Sequence, residues 1–224
     1  MPKRPAAIAF DVIETLFALD PVGERMKAAG LPHTMLRLFF AQMLRDAFAL
    51  EGSGVYKPFP EIAAANLAIV LAGHGLAAGK AQVDGIMGAF AELPAHADVR
   101  PAFERVRGAG VRLITVSNGG AQGTKKLLAR AGLLDYVEQV VSIDEVKRWK
   151  PNKAVYLHAA QAAGVAPGDL ALVAAHAWDV HGAKQAGLLG AWVKRQDAEY
   201  HAAMTPPDAR GDSLTETVDG LLAL

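Results

Sequence analysis

The sequence predicts the α/β class: a Rossmann-like parallel sheet core with a helical cap inserted after the first strand. Three observations carry this expectation. Short apolar runs end abruptly in polar residues, and a helical pattern follows each of them. Glycines close several of those helical patterns. Between the first apolar run and the second lies a stretch of helical patterns alone. Continuous apolar strands alternating with helices are what a parallel sheet covered on both faces requires.

Residues 6–10 form the first run, which ends at Asp11. Residues 111–116 (VRLITV) form the second, ending at Ser117-Asn118-Gly119-Gly120. Residues 137–143 are the third, 170–174 (LALVA) the fourth, and 191–193, before Lys194 and Arg195, a fifth. Helical patterns occupy 100–109, 121–131, 152–163 and 178–187, with Gly110, Gly132, Gly164 and Gly187 as their stops. The segment 20–95 breaks the rhythm, with helical patterns at 21–29, 32–50, 60–73 and 79–92 and no strand. This organisation predicts a core domain from 1–17 and 96–224 and a helical cap domain over 18–95. In an open parallel sheet, ligands bind beyond the carboxyl ends of the strands, so the active site is expected there, under the cap. Residues 205–213 (TPPDARGDS) read as a surface loop before a final short helix.

Composition narrows the function classes. Hydrophobic residues at 52% and charged residues at 21% support a buried core and exclude wholesale disorder. Lys plus Arg and Asp plus Glu are balanced at 23 each, so neither nucleic acid nor an acidic membrane surface is an expected partner. The chain has no cysteine, which rules out disulfide scaffolds, Cys-ligated zinc, iron–sulfur clusters and thiol nucleophiles. Asp11 and Glu14 interrupt the N-terminal apolar run, and no apolar stretch of about 18 residues occurs, so a cytoplasmic protein without a membrane span is expected. The pattern 32–50 carries Leu36, Phe39, Phe40, Met43, Leu44, Phe48 and Leu50, more apolar surface than one buried stripe needs. That excess predicts a homodimer.

Asp11, Ser117-Asn118, Lys150 and the group from His176 to Asp179 lie at or just beyond strand ends, where a parallel sheet brings them to one crevice. Singly, each has an ordinary explanation as a helix cap, a turn residue or a solvated charge. Together, from four separate segments, they point to a site. The same segments resemble the motifs of the haloacid dehalogenase superfamily. Phe10-Asp11-Val12-Ile13-Glu14-Thr15-Leu16-Phe17 is similar to its first motif, and Ser117-Asn118-Gly119 to its second. Lys150-Pro151 resembles the third, and Ala174-Ala175-His176-Ala177-Trp178-Asp179 with Gly182-Ala183 the fourth. The resemblance covers nearly the whole chain, with the cap its loosest part.

Phosphatases of that superfamily place a second Asp, the general acid, two residues past the nucleophile; here that position is Ile13. Phosphoryl transfer must protonate a leaving alkoxide, which Ile13 cannot do. Halide leaves without an acid and needs only donors around the anion. Within the superfamily the chain resembles the type II 2-haloacid dehalogenase branch, in Ala177-Trp178-Asp179, in Tyr156, and in Arg37 on the cap, where Arg45 is the competitor.

The resemblance implies hydrolytic dehalogenation of small 2-haloalkanoic acids to 2-hydroxy acids, with a haloacid as the bound small molecule and no metal or other cofactor. Asp11 would attack the α-carbon and form an aspartyl ester. Lys150, held by Ser117, would keep Asp11 ionised, and Thr15 would hold the nucleophile loop. Backbone amides after Ser117 and around Val12 would bind the substrate carboxylate. Arg37 and Asn118 would cradle the halide, and Ile13, Phe59, Tyr156 and Trp178 would contact the substrate. Water activated near Asp179 would then cleave the ester. Two departures stand out. Ala174, Ala175 and His176 replace the Ser-Ser-Asn of the fourth motif, and Glu14 replaces a usual glycine. His176, three residues before Asp179, is expected to share a helical face with it and act as general base, or else to bond backbone at the helix start. Glu14 is expected to point outward, without a role. A magnesium-dependent phosphatase or phosphonate-cleaving relative, and a non-catalytic family member, remain as alternatives.

Overall fold

A computed structural model describes residues 3–224. The five apolar runs become strands β1 (Ala7–Phe10), β2 (Arg112–Ser117), β3 (Gln139–Ser142), β4 (Leu170–Ala174) and β5 (Leu189–Val193), and a sixth strand, β6 (Ala209–Gly211), follows them. They form one sheet in the order β3-β2-β1-β4-β5-β6, parallel at every pairing. Strands β1, β4 and β5 are buried at every residue, and both faces of such strands must be apolar. Unbroken runs, not alternating ones, are the sequence consequence.

Nine helices accompany the strands among the described residues: α1 (Asp20–Ala28), α2 (Met35–Gly52), α3 (Phe59–Gly73), α4 (Lys80–Met87), α5 (Val99–Gly108), α6 (Ala121–Arg130), α7 (Lys153–Ala162), α8 (Ala177–Gln185) and α9 (Leu214–Leu222). Two compact units result. One takes the chain as far as Phe17 and again from Ala95 to Leu224, and holds the sheet with α5 to α9. The other, Ala18–Pro94, holds α1 to α4. In α5 the buried residues Val99, Ala102, Phe103 and Val106 recur at helical spacing, giving the single stripe that a sheet-covering helix needs. Gly110, Gly132, Gly164 and Gly187 all take positive φ just past their helices, the conformation that ends a helix at least cost to glycine.

The sheet order places the site. From β1 the chain runs to β2 on one side, while β4 lies on the other, so strand order reverses at β1, and the carboxyl ends of β1 and β4 are where such a sheet binds its ligands. The structure also corrects the sequence reading at three places. The segment expected as a surface loop contains β6, which pairs with β5. The fifth strand starts earlier, at Leu189. The pattern 79–92 is not one helix: α4 gives way to a 3-10 turn over Gly88–Ala91. Arg25 explains the break, because its guanidinium donates to the Gly85 carbonyl at 2.6 Å and to Glu92 at 2.6 Å. A Cβ at Gly88 would meet Arg25 at 3.0 Å. No helix among the described residues is long and apolar enough to cross a membrane.

Candidate active site

Asp11 is the first residue beyond β1, and its backbone N–H continues the pairing by donating to the Val173 carbonyl at 3.0 Å. Both carboxylate oxygens are held. Oδ1 accepts from Lys150 Nζ at 2.6 Å, and Oδ2 accepts from the Thr15 hydroxyl at 2.7 Å. Thr15 in turn accepts the Ala175 N–H at 2.9 Å, tying the loop after β1 to the segment after β4.

Lys150 is completely buried, and its ammonium spends all three protons. Besides Asp11 it donates to Asp179 Oδ2 at 2.6 Å and to the Val116 carbonyl at 3.2 Å. Burial opposes a charged lysine, but Asp11 and Asp179 together outweigh it and hold the pKa above its ordinary value. Asp179 sits in the first turn of α8, where backbone N–H groups favour a carboxylate. Its other oxygen accepts the Tyr156 hydroxyl at 2.7 Å. Burial raises the Asp179 pKa; Lys150 opposes the rise and Asp11 adds to it. Burial, with Asp179 beside it, pushes the Tyr156 hydroxyl well up, so it stays a neutral donor. Gly182 permits this arrangement. A Cβ there would stand 2.6 Å from both the Tyr156 oxygen and Pro151 Cβ.

The expected hold of Ser117 on Lys150 is not made, because the ammonium is already saturated. Ser117 Oγ instead accepts the Gly119 N–H at 2.9 Å and shapes the turn after β2. Asn118 reaches Lys150 at its backbone, with Oδ1 accepting that N–H at 3.1 Å.

The expected pairing of His176 with Asp179 is also absent. His176 precedes α8 with φ −101° and ψ 125°, so the two residues do not share a helical face. Its Nε2 lies 2.7 Å from Glu14 Oε2, and its Nδ1 lies 4.0 Å from Asp11 Oδ2. The ring stacks on Trp178 with centroids 5.4 Å apart. Glu14 therefore points inward, against expectation, at 8% exposure. Its φ of 65° lies in the left-handed region, which explains why glycine suits the position and what a glutamate there must offset. Burial opposes a charged His176, but the hydrogen bond and charge of Glu14, followed by Asp11 and Asp179, hold its pKa above 6.5.

Among the other candidates, Val12 is buried and Ile13, Asn118 and Trp178 are half-buried. Tyr156 is fully buried with its hydroxyl engaged by Asp179, so it acts as a support for that carboxylate. Arg37, exposed on α2, and Phe59, which opens α3 and packs edge-on to Phe90 at 5.2 Å, belong to the Ala18–Pro94 unit. Arg45 in that unit bonds Asp46 at 2.7 Å. The donor set fits a divalent cation poorly. All four oxygens of Asp11 and Asp179 are engaged by Lys150, Thr15 and Tyr156, and the Ile13 side chain adds no carboxylate.

The site thus centres on a carboxylate held at the switch point of a parallel sheet, with a buried lysine bridging it to a second carboxylate. The haloacid dehalogenase-like hydrolase family matches residues 6–187, from β1 through α8. The chain is a haloacid dehalogenase-like hydrolase. This hydrolase is 25% identical to (S)-2-haloacid dehalogenase H-109 of Pseudomonas putida over 217 residues, which cover 96% of this chain and 97% of that one. It is 27% identical to (S)-2-haloacid dehalogenase 1 of Pseudomonas sp. strain CBS-3, over 97% of each. The L-2-haloacid dehalogenase of Xanthobacter autotrophicus has the same fold, with a TM-score of 0.89, 22% identity, and coverage of 96% of this hydrolase and 97% of that chain. Sequence reasoning missed Glu14 in this hydrolase. The one signal was its position, a glutamate where a glycine is usual, and only the backbone turns that side chain toward His176.

Proposed function

We propose that this hydrolase removes halide from small 2-haloalkanoic acids and yields 2-hydroxy acids through an ester on Asp11, without a metal or other cofactor. One observation carries the reading: Asp11 is clamped between Lys150 and Thr15 at the end of β1, while Ile13, two residues on, supplies no acid. Similarity to two (S)-2-haloacid dehalogenases over nearly the whole chain supports the substrate class and the (S) configuration.

In the first step an Asp11 oxygen bonds to the α-carbon as the carbon–halogen bond breaks with its electron pair. Attack from behind inverts that carbon. Arg37 and Asn118 are assigned to the departing halide, amides around Val12 to the substrate carboxylate, and Ile13, Phe59 and Trp178 to its apolar part. In the second step water adds to Asp11 Cγ. Its oxygen stays in the carboxyl group, and the former ester oxygen leaves in the hydroxy acid. Glu14 only accepts, so Nε2 of His176 carries the proton toward it, and in the neutral ring Nδ1 is the accepting nitrogen on the Asp11 side. We assign water activation to His176 oriented by Glu14, in place of Asp179, whose oxygens are both engaged. His176 takes one proton from water and returns it to the alkoxide; the second leaves Asp11 for solvent.

The test is halide release from chloro-, bromo- and fluoroacetate and from 2-chloropropionate, with and without EDTA, beside a generic phosphomonoester with magnesium. Halide release that EDTA does not change is expected. Magnesium-dependent phosphate release with no halide release would overturn the reading in favour of a phosphatase. The proposal includes a cytoplasmic location and a homodimer. The first is the location expected from the sequence. The second is supported by Leu38 on α2 and Ile69 on α3, 44% and 62% exposed.

A further inference from the structure

Three successive carbonyls of the nucleophile loop are each held by a group from elsewhere in the same unit. The Glu14 carbonyl accepts from His96 Nε2 at 3.1 Å, the Thr15 carbonyl from Arg195 Nη2 at 3.2 Å, and the Leu16 carbonyl from the His96 backbone N–H at 2.9 Å. Arg195 follows β5 at the same edge of the sheet as the site. Its guanidinium is fixed by a two-pronged pair with Asp98, Nη1 to Oδ2 at 3.0 Å and Nη2 to Oδ1 at 2.8 Å. Asp98 is anchored in turn by the Leu214 N–H at 2.8 Å, at the start of α9. Both side chains are largely buried, at 12% and 20% exposure. Burial opposes the Asp98 charge, but Arg195 and then the Leu214 N–H overcome it and hold this carboxyl below its ordinary value.

An isolated pair of this kind is common in cores, but here Nη2 keeps its bond to Asp98 and gives its second proton to a backbone oxygen. That oxygen belongs to Thr15, whose hydroxyl bonds Asp11, and the neighbouring residue is Glu14, whose carboxylate bonds His176. We propose that Arg195, locked by Asp98 and seconded by His96, is a positioning residue that sets where Thr15 and Glu14 present their side chains to Asp11 and His176. Arginine suits this task, since its planar fork satisfies a carboxylate and still has a donor for the Thr15 carbonyl, which a lysine ammonium cannot match in the same geometry. Displacing reacting groups by about 1 Å costs on the order of 100-fold in rate, so a modest relaxation of the loop has a large kinetic effect.

The halide part of the test rests on the proposed haloacid chemistry; a second readout does not. Arg195→Ala and Arg195→Lys are compared with the parent enzyme for first-turnover halide release, for KM, and for His176 titration followed by NMR, assigned with His176→Asn. Each is repeated with millimolar guanidinium chloride and with sodium chloride as control. The groups facing His176 are Glu14, Asp11 and Asp179, with Lys150 bridging the two aspartates. Loosening Glu14 removes the strongest of the influences that raise its titration. The expected result for Arg195→Ala is about tenfold or slower halide release with little change in KM, His176 titrating at lower pH, and partial recovery of both with guanidinium alone. Arg195→Lys falls between, and carries the same readouts should the alanine variant not fold. Unchanged His176 titration and rate overturn the proposal, as does a loss of thermal stability with neither readout restored by guanidinium. If the parent enzyme releases no halide, the haloacid reading fails, and the His176 titration still decides the role of Arg195.

Discussion

Glu14 occupies a backbone conformation that glycine adopts freely and glutamate at a cost on the order of 1 kcal/mol, and in that place its carboxylate meets His176 at 2.7 Å. The pair gives the site a defined pH response. In its proposed role as base, His176 must be neutral to take a proton from water, and Glu14 raises its pKa, so turnover limited by ester hydrolysis should climb as pH rises through a value above 6.5. Removing the charge with Glu14→Gln takes away the leading influences that raise it. The inflection should then move to lower pH, while turnover at high pH falls because the ring loses its orientation; an inflection that stays put in kcat–pH profiles contradicts the assignment. The stability linkage has the matching sign. With the folded pKa above the unfolded one, the pair stabilises the fold fully below about 6.5 and loses that contribution as pH rises through the folded value. Asp11, Lys150 and Asp179 were legible in the sequence because strand ends bring such residues together whatever their rotamers. The Glu14–His176 pair was not, because it depends on a positive φ at one residue and an extended backbone at the other.

Among the elements, β1, β2 and β4 were legible because a strand buried on both faces writes an unbroken apolar run. Strand β6 was not, since Ala-Arg-Gly at a sheet edge pairs on one side only and needs no such run. Its Gly211 is set by packing, as a Cβ there would stand 2.6 Å from the Thr217 backbone nitrogen. Within β2, Thr115 is completely buried and its hydroxyl has no hydrogen-bond partner among the described residues. Valine has the same shape and suits a strand, and removing an unsatisfied buried hydroxyl recovers its desolvation cost. Thr115→Val should therefore stabilise the protein by about 1 kcal/mol in urea unfolding, with activity unchanged. A loss of stability would show that the hydroxyl has a partner.

At the scale of the molecule, helical patterns without strands marked the stretch that the structure resolves as the Ala18–Pro94 unit. Which apolar side chains on α2 face outward was beyond periodicity. Phe39, Phe40 and Met43, counted toward a subunit contact, are buried, while Leu38 is 44% exposed. A homodimer built on Leu38 and Ile69 should give twice the 23.6 kDa chain mass in light scattering, and Leu38→Glu with Ile69→Glu should halve it; the mass of one chain across micromolar concentrations contradicts the dimer. The central claim, covalent catalysis by Asp11, has a more direct test. A single turnover of (S)-2-chloropropionate in oxygen-18 water, followed by mass spectrometry of the Asp11 peptide and of the lactate, follows the oxygen itself. Label in the Asp11 carboxyl group, with unlabelled lactate of inverted configuration, is the expected result; label in the lactate and none in Asp11 means that water attacked the α-carbon directly, and contradicts the account.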